Sequence, residues 1–350
     1  MRIALDAMGG DHAPERPVAG AMAALHEPGV DFDIVLVGDE ARITPLLPRR
    51  AHPRPTVWHA SQTIAMDESP ATALRRKRDS SIGVGIGLQA VGGADAFVSA
   101  GNTGAVMAAA LTTLGRVQGI SRPAIVTTFP TQAEPCLVLD VGANAQCKPQ
   151  HLAQFAVMGH IYAAEVLGRE QPRVGLLSIG EEPGKGDDLR IAAHELLSSS
   201  GLNFVGNVEG RDVLRGAVDV VVTDGFTGNV LLKFGESFVD FLASEIGREV
   251  RSSRRASLGA WLMRPAFREL RRRIDYAEYG GAPLLGVDGI VIICHGGSSV
   301  KAFQSALRVA RRAVERNLAR RIERAILKPS AGAVEPVERP DRGFMTGEVR

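Results

Sequence analysis

The chain has 350 residues, 45% of them hydrophobic and 5% aromatic, with 39 glycines and a formal net charge of +2. That length carries a sizeable core, either as one large α/β unit or as two interleaved halves, and so small a charge gives no reason to expect nucleic acid as a partner. Three cysteines, Cys136, Cys147 and Cys294, lack metal-type spacing and leave an odd count, which points to a reducing cytoplasm.

The chain opens with a short strand at Ile3-Ala-Leu5, and Asp6 brings charge before any apolar region develops, so no signal peptide is expected. The turn after it sets Gly9 and Gly10 between Asp6 and Asp11, a corner for an anion or a metal. Spacing alone does not choose among general bases, hydrogen-bond anchors and hard-cation ligands for the two aspartates. A helix over Pro14 to Leu25 and a strand over Ile34 to Val37 follow, and His26, His52 and His59 fall on or near loops. Ser69 and Pro70 start the next helix, which carries Arg75-Arg-Lys-Arg78. Four consecutive basic residues cannot share one helix face. At least one of Arg75 and Lys77 is expected to meet an anion, because Ser80-Ser81-Ile-Gly83 opens a further helix with free N–H groups. Gly85-Ile-Gly87 fits a dinucleotide fingerprint, yet it follows a basic helix and not a strand, so its glycines read as helix-packing contacts.

Residues 96–115 are uncharged and nearly long enough to span a membrane, but Gly101-Asn-Thr-Gly104 marks a strand-to-helix corner before an Ala-rich core helix. Pro123 to Phe129 and Cys136 to Leu139 read as an antiparallel pair of strands, and Lys148 to Leu167 as a long helix bearing His151 and His160. After a strand over Arg173 to Ser178 comes Gly180-Glu-Glu-Pro-Gly184-Lys185-Gly186-Asp187. It is one residue short of a nucleotide phosphate loop and lacks the hydroxyl residue after the lysine, so it suits one small anion and not a nucleotide.

Asp219 to Lys233 organises the rest: a β-branched run, the polar break Asp224-Gly-Phe-Thr-Gly-Asn229, then apolar residues at helical spacing through Phe234, Phe238 and Phe241. Such a strand-to-helix corner offers N–H groups and a partial positive charge to an anion. Similar corners recur at Ser99–Gly104, Asp140–Asn144, Ser178–Glu181 and Cys294–Ser299. In a parallel sheet all five would open on the same edge around one crevice.

The window Gly247–Asp275 holds nine arginines against three acids, a net +6, which leaves the other 32 basic and 36 acidic residues at −4. Leu258, Trp261, Leu262, Met263 and Phe267 lie among those arginines, the pattern of a helical element in a membrane interface; a dimer contact or a core-facing helix are the other readings. Tyr279 to Gly289 reads as a Gly-rich loop, Ile290 to Cys294 as a last buried strand, and Ser298 as the cap of a long basic helix reaching about Leu327. Residues 329–350 have no apolar period and read as a disordered tail.

No Gly-x-Ser-x-Gly elbow is present, and no motif couples a cysteine to a base. What remains are glycine corners, Lys185, Arg75, Lys77 and the amides and hydroxyls of Asn102, Thr103, Asn144, Asn229 and Ser298. Such a set suits direct transfer, in which bound phosphate attacks a carbonyl and donors stabilise the oxyanion, with no covalent enzyme intermediate.

The segments Ala4–Asp11, Ser99–Gly104, Asp140–Asn144, Val208-Glu-Gly210, Asp219–Lys233, Tyr279–Gly286 and His295–Ser299 closely resemble the PlsX family of acyl-ACP:phosphate acyltransferases, in that family's order, over about residues 1–325. The resemblance implies an α/β, Rossmann-like three-layer fold similar to isocitrate and isopropylmalate dehydrogenases and to phosphotransacetylase, with the basic helical element protruding. Residues 1–328 would form the acyltransferase domain. It implies transfer of a fatty acyl group from the thioester of acyl carrier protein to inorganic phosphate, giving acyl phosphate for a membrane glycerol-phosphate acyltransferase of phospholipid synthesis, with no cofactor and no metal. A cytoplasmic homodimer, peripherally bound to an anionic membrane surface, is implied as well. On this reading Lys185, Asn229 and the Asn102-Thr103 corner hold phosphate and the developing oxyanion. Asp6, Gly9, Gly10, Arg75, Lys77, Ser80, Asn144, Asp224 and Ser298 line the substrate site. His295 is either an acid for the leaving thiol or a hydrogen-bonded structural histidine. Two rival readings are an NAD-dependent decarboxylating dehydrogenase, suggested by fold analogy and the Gly85 pattern, and a membrane-bound scaffold for the carrier.

Overall fold

A computed structural model of the chain describes residues 1–48, 55–274 and 280–327, apart from the side chains of 271–274. Asp275 and Tyr279, like the tail at 329–350, lie outside the described residues.

The chain begins with β1 (Arg2–Asp6), α1 (Glu15–Leu25), β2 (Asp33–Gly38), α2 (Glu40–Ile43) and β3 (Thr56–His59). It goes on through α3 (Pro70–Arg76), α4 (Ser81–Ala90), β4 (Ala96–Ser99) and α5 (Thr103–Thr113). The middle of the chain supplies β5 (Ala124–Phe129), β6 (Cys136–Leu139), α6 (Pro149–Glu165), β7 (Val174–Leu177), α7 (Asp188–Ser198), β8 (Phe204–Val208), α8 (Gly210–Arg215) and β9 (Val220–Val222). Three helices follow, α9 (Gly225–Ser252), α10 (Arg254–Leu262) and α11 (Arg264–Ile274), before β10 (Ala282–Leu285), β11 (Val291–Ile293), α12 (Val300–Glu315) and α13 (Leu318–Leu327).

The strands form one sheet in the order β3-β2-β1-β4-β11-β10-β5-β6-β9-β7-β8. Most are unbroken apolar runs because both faces are covered. Ile3, Leu5, Leu36 and Val98 face one core with α1, α6 and α12, whereas Ala4, Val37 and Phe97 face a second with α4 and α5. This alternation makes three layers. Gly85 belongs to the second contact: a Cβ there would meet the Phe97 ring at 2.2 Å, so the fingerprint-like pattern is a packing feature. Gly87, by contrast, faces open space and packs against nothing.

Strand β10 supplies two of the three antiparallel ladders that together set the strand directions. It is antiparallel to both β11 and β5, and β5 is antiparallel to β6, while every other ladder is parallel. Strands β6, β9, β7 and β8 therefore run opposite to β1, β2, β3, β4 and β11. The carboxyl ends of β1, β4 and β11 lie at one end of the strands, here the near end, and those of β6, β7 and β9 at the far end. The expectation that five corners surround one crevice is corrected accordingly, since no single parallel sheet exists.

Other expectations shift for local reasons. The stretch predicted as a Gly-rich loop contains β10. The cap of α12 is Ser299, whose side chain accepts from the Ala302 N–H, and not Ser298. The basic helix ends at Glu315 and restarts at Leu318, because Asn317 sits at φ 49°, a left-handed conformation that stops a helix. The antiparallel pairing of β5 with β6 is as expected.

Helix α9 stands apart. Its 28 residues span about 42 Å at 1.5 Å per residue, yet within it only Gly225 and Gly228 are buried. It starts at the far end, and Gly235 lies beside the Phe129 ring at the end of β5, so the helix crosses the sheet toward the near end and continues past it. Phe234, Phe238 and Phe241, which helical spacing would put against a core, are exposed.

Candidate active site

At the far end, Asp140 organises the loop after β6. Its Oδ1 accepts from the N–H groups of Ile125, Gly142 and Ala143, and its Oδ2 from Asn144 N at 2.7 Å and Asn144 Nδ2 at 2.9 Å. Burial raises its pKa despite those bonds. The Asn144 carboxamide also donates to Pro123 O, and the main-chain carbonyl of Asn144 takes the Gly225 N–H that opens α9. Asn144 thus shapes the corner with its own groups already engaged. Gly228 completes the fit, since a Cβ there would lie 1.9 Å from the Asp140 carbonyl oxygen. Only glycine lets the first turn of α9 come so close to the strand end.

Asp224 caps α9, its Oδ1 accepting from Thr227 N and its Oδ2 from Thr227 Oγ1. Burial pushes its pKa up, but the Thr227 N–H and hydroxyl and the Arg190 guanidinium outweigh this and hold it below the usual range. Three first-turn N–H groups of α9 are therefore spent: Gly225 on Asn144, Thr227 on Asp224 Oδ1 and Gly228 on Asp224 O. What α9 still offers an anion is its dipole, joined by those of α6 and α7, which also start at the far end. Asn229 is exposed there, facing the Gly142 loop.

Lys185 lies in the loop between β7 and α7. Ser178 Oγ donates to its carbonyl at 2.8 Å, and its N–H bonds to Glu182 O, which also accepts from Asn207 Nδ2 at 2.7 Å. The backbone is tied while the side chain is exposed and forms no ion pair among the described residues. Arg190, which the sequence did not single out, joins this loop to the α9 corner through Asp187 and Asp224. Its only signal was a position three residues after the helix cap Asp187.

The near end carries as many polar residues, but most are engaged. Asp6 is fully buried, accepts from Ser99 Oγ at 2.7 Å and Met8 N at 3.0 Å, and has its pKa raised by burial, which makes it an anchor. Gly9 packs against it and against Gly101 N, and Gly10 against Gly296 O, so the β1, β4 and β11 corners do meet. Asn102 caps α5 through Ala105 N and gives its amide to the carbonyls of Ala65, Met66 and Glu68, and Thr103 is the first residue of that helix. Ser80 caps α4 and Ser298 is buried. Lys77 turns inward to Glu68 and the Thr63 carbonyl, so its expected anion is an internal carboxylate. Arg75, Arg76 and Arg78 are exposed. His295 is exposed, with Nδ1 accepting from Gly297 N at 3.1 Å, at the opposite end of the strands from Lys185.

Burial pushes the thiols of Cys136 and Cys294 up to about 12 and that of Cys147 to about 11, which leaves no nucleophilic thiolate at neutral pH. Among the described residues no group of three His, Cys, Asp or Glu side chains is placed to hold a metal ion.

This three-layer architecture is shared with solved phosphotransacylases. A phosphotransacetylase from Streptococcus pyogenes superposes with a TM-score of 0.61 at 20% identity, covering 90% of this chain and 94% of that one. A branched-chain phosphotransacylase from Enterococcus faecalis V583 gives 0.57 at 15% identity, covering 90% and 99%. Identities so low speak for the fold alone. The sequence goes further: residues 1–321 match the family described as fatty acid synthesis protein, and the chain belongs to that family. Phosphate acyltransferase of Heliobacterium modesticaldum is 54% identical over 340 residues, 96% of this chain and all of that one, and phosphate acyltransferase of Moorella thermoacetica is 52% identical over 320 residues, 91% and 94%.

Proposed function

We infer that the chain is a phosphate acyltransferase of lipid synthesis, and that it uses the far end of the sheet to hold phosphate. Its family and its relatives at about half identity carry the activity. The observation that favours the far end is the uncommitted pair Lys185 and Asn229 beside three helix N-termini, where the near-end carboxamide and buried carboxylate are already spent.

In this reading Lys185 and the α6, α7 and α9 dipoles hold the phosphate dianion. One phosphate oxygen forms a bond to the thioester carbonyl carbon, and the carbonyl π pair moves to oxygen. Asn229 donates to that oxyanion. Collapse restores the carbonyl and breaks the C–S bond, the thiolate leaves with the electron pair and takes a proton from solvent, and acyl phosphate remains. No enzyme atom is acylated, in keeping with the raised cysteine pKa values.

The donor we favour is the thioester of acyl carrier protein, an acidic partner suited to the exposed Arg75 and Arg76 of α3 and Arg78 just after it, or to Arg254 and Arg255 of α10. Phe226, Val230, Phe234, Phe238 and Leu242 form an exposed i,i+4 apolar row on α9, which supports a homodimer built on that helix. Leu258, Trp261, Leu262 and Met263 are exposed among arginines on and just after α10, with Phe267 half-buried on α11, which supports an anionic membrane contact at the tip. No helix among the described residues is long and apolar enough to cross a membrane.

The test is phosphate-dependent consumption of acyl carrier thioester by purified protein, with acyl phosphate as product. Thioester loss that is independent of phosphate, or a fatty acyl group trapped on the protein, would overturn the mechanism. For the tip, Leu258→Glu with Trp261→Glu is expected to abolish sedimentation with anionic vesicles and leave turnover in solution largely intact. Unchanged sedimentation would reject the membrane contact.

A further inference from the structure

We propose that Arg190 is a positioning residue for the transfer reaction: its guanidinium clasps the caps of α7 and α9 and thereby fixes Lys185 relative to Asn229. This rests on the reading of Lys185 and Asn229 as the groups that touch phosphate and oxyanion.

Lys185 is two residues before Asp187, the cap of α7, and Asn229 five residues after Asp224, the cap of α9. The two aspartates divide their oxygens in a similar way, except that Asp224 Oδ2 also accepts from Thr227 Oγ1. Asp187 Oδ1 accepts from Arg190 N at 2.9 Å and Asp224 Oδ1 from Thr227 N at 2.9 Å, so one oxygen of each serves its own helix. The other oxygens turn to one guanidinium: Arg190 Nη1 donates to Asp187 Oδ2 at 2.8 Å, and Nη2 donates to Asp224 Oδ2 and to Thr227 Oγ1 at 3.1 Å. The Arg190 side chain is 12% exposed and that of Asp224 7%, so the second contact is shielded from water and not a surface ion pair. Among the described residues Arg190 supplies every hydrogen bond joining the Gly180–Asp187 loop to the β9–α9 corner. Ser178 and Asn207 fix that loop to β7 and β8, the β7–β9 ladder sets the strand ends side by side, and among the described residues Arg190 is the side chain that ties the loop to α9.

A planar fork reaching two carboxylates and a hydroxyl cannot be copied by a lysine, a point charge on a flexible stem. Misplacement of a reacting group by about 1 Å costs up to roughly 100-fold in rate. Both Arg190→Gln and Arg190→Lys are therefore expected to lower kcat about 10- to 100-fold and to raise KM for inorganic phosphate, which Lys185 holds, in protein whose thermal midpoint shows it folded.

The deciding measurement is a double-mutant cycle with Lys185→Ala. If Arg190 acts by placing Lys185, Arg190→Gln should cost less than about threefold when Lys185 is already absent. Guanidinium ion added to Arg190→Gly should restore part of kcat. An equal loss in both backgrounds, or a normal kcat in folded Arg190→Gln, overturns the clasp while Lys185 keeps its role. Near-normal turnover of Lys185→Ala alone means that the site reading has failed, and the clasp with it. Should Arg190→Gln not fold, Asp187→Asn serves instead. Asparagine keeps the cap but loses the charge that draws in the guanidinium, and the same non-additivity with Lys185→Ala is expected or the proposal falls.

Discussion

The two ends of the sheet are built from the same kind of corner and put their polar groups to different use. At the near end, Asp6 and Ser99 bond to each other and to the loops they open, and Asn102 bonds to the carbonyls of Ala65, Met66 and Glu68. At the far end Asp140, Asn144 and Asp224 do the same structural work, but Lys185 and Asn229 stand on the finished corners with their side chains exposed. A polar residue in a strand-to-helix turn is thus first a means of satisfying buried backbone. What is left over stays open to a ligand.

Substitution can break that contrast. The largest effect is expected for Lys185→Ala, which should lower phosphate-dependent turnover by about 100-fold or more, the scale of a lost oxyanion donor, with the unfolding midpoint unchanged. Turnover within a few-fold of the parent would remove Lys185 from the site. Asn102→Ala should behave in the opposite way. Loss of the α5 cap costs about 1 kcal/mol, and leaving three carbonyls without their donor adds to it, so a destabilisation of about 2–3 kcal/mol in denaturant titration is expected, with kcat close to normal while the protein stays folded. A large fall in kcat with unchanged stability would instead give the near end a chemical role.

The smallest effect is expected from pH. Asp224 has a folded pKa held below its ordinary 3.8, so its stabilising contribution is complete above that value and lost as pH falls through the lowered one. Stability measured below about pH 4 should decline less steeply in Asp224→Asn than in the parent. Asp140, whose pKa is raised by burial, has the opposite sign: the fold favours its neutral form, so its contribution diminishes as pH rises through the raised value. Identical acid slopes for parent and Asp224→Asn would show that the Arg190 and Thr227 contacts do not hold in solution.

Much of this was legible in the residues. The apolar runs at Ile34–Val37 and Val220–Val222, the helix opened by Ser80–Gly83, the antiparallel pairing of β5 with β6 and each polar corner are local patterns, set by neighbours in the chain. The pairing of Lys77 with Glu68 was not legible, because Glu68 precedes it on a loop that the sequence does not fold back. The bonds of Asn102 were hidden as well, because nothing local says that three carbonyls 34 to 37 residues away will take its amide. The exposed face of α9 could not be foreseen either, since helical spacing says that one face is apolar and not what covers it.

By itself, then, the sequence determined the elements, their corners and the chemistry those corners could supply, because propensity, capping and patterning act over a few residues. The tertiary structure decided which corners meet. Three antiparallel ladders in a row, β11 with β10, β10 with β5 and β5 with β6, separate the two halves of the sheet, and that odd number turns β6, β9, β7 and β8 against β1, β4 and β11, and so places Lys185 and Asn229 at one end of the strands and Asn102 and His295 at the other. Strand direction is a property of a ladder between distant segments, fixed by hydrogen bonds that no local stretch contains.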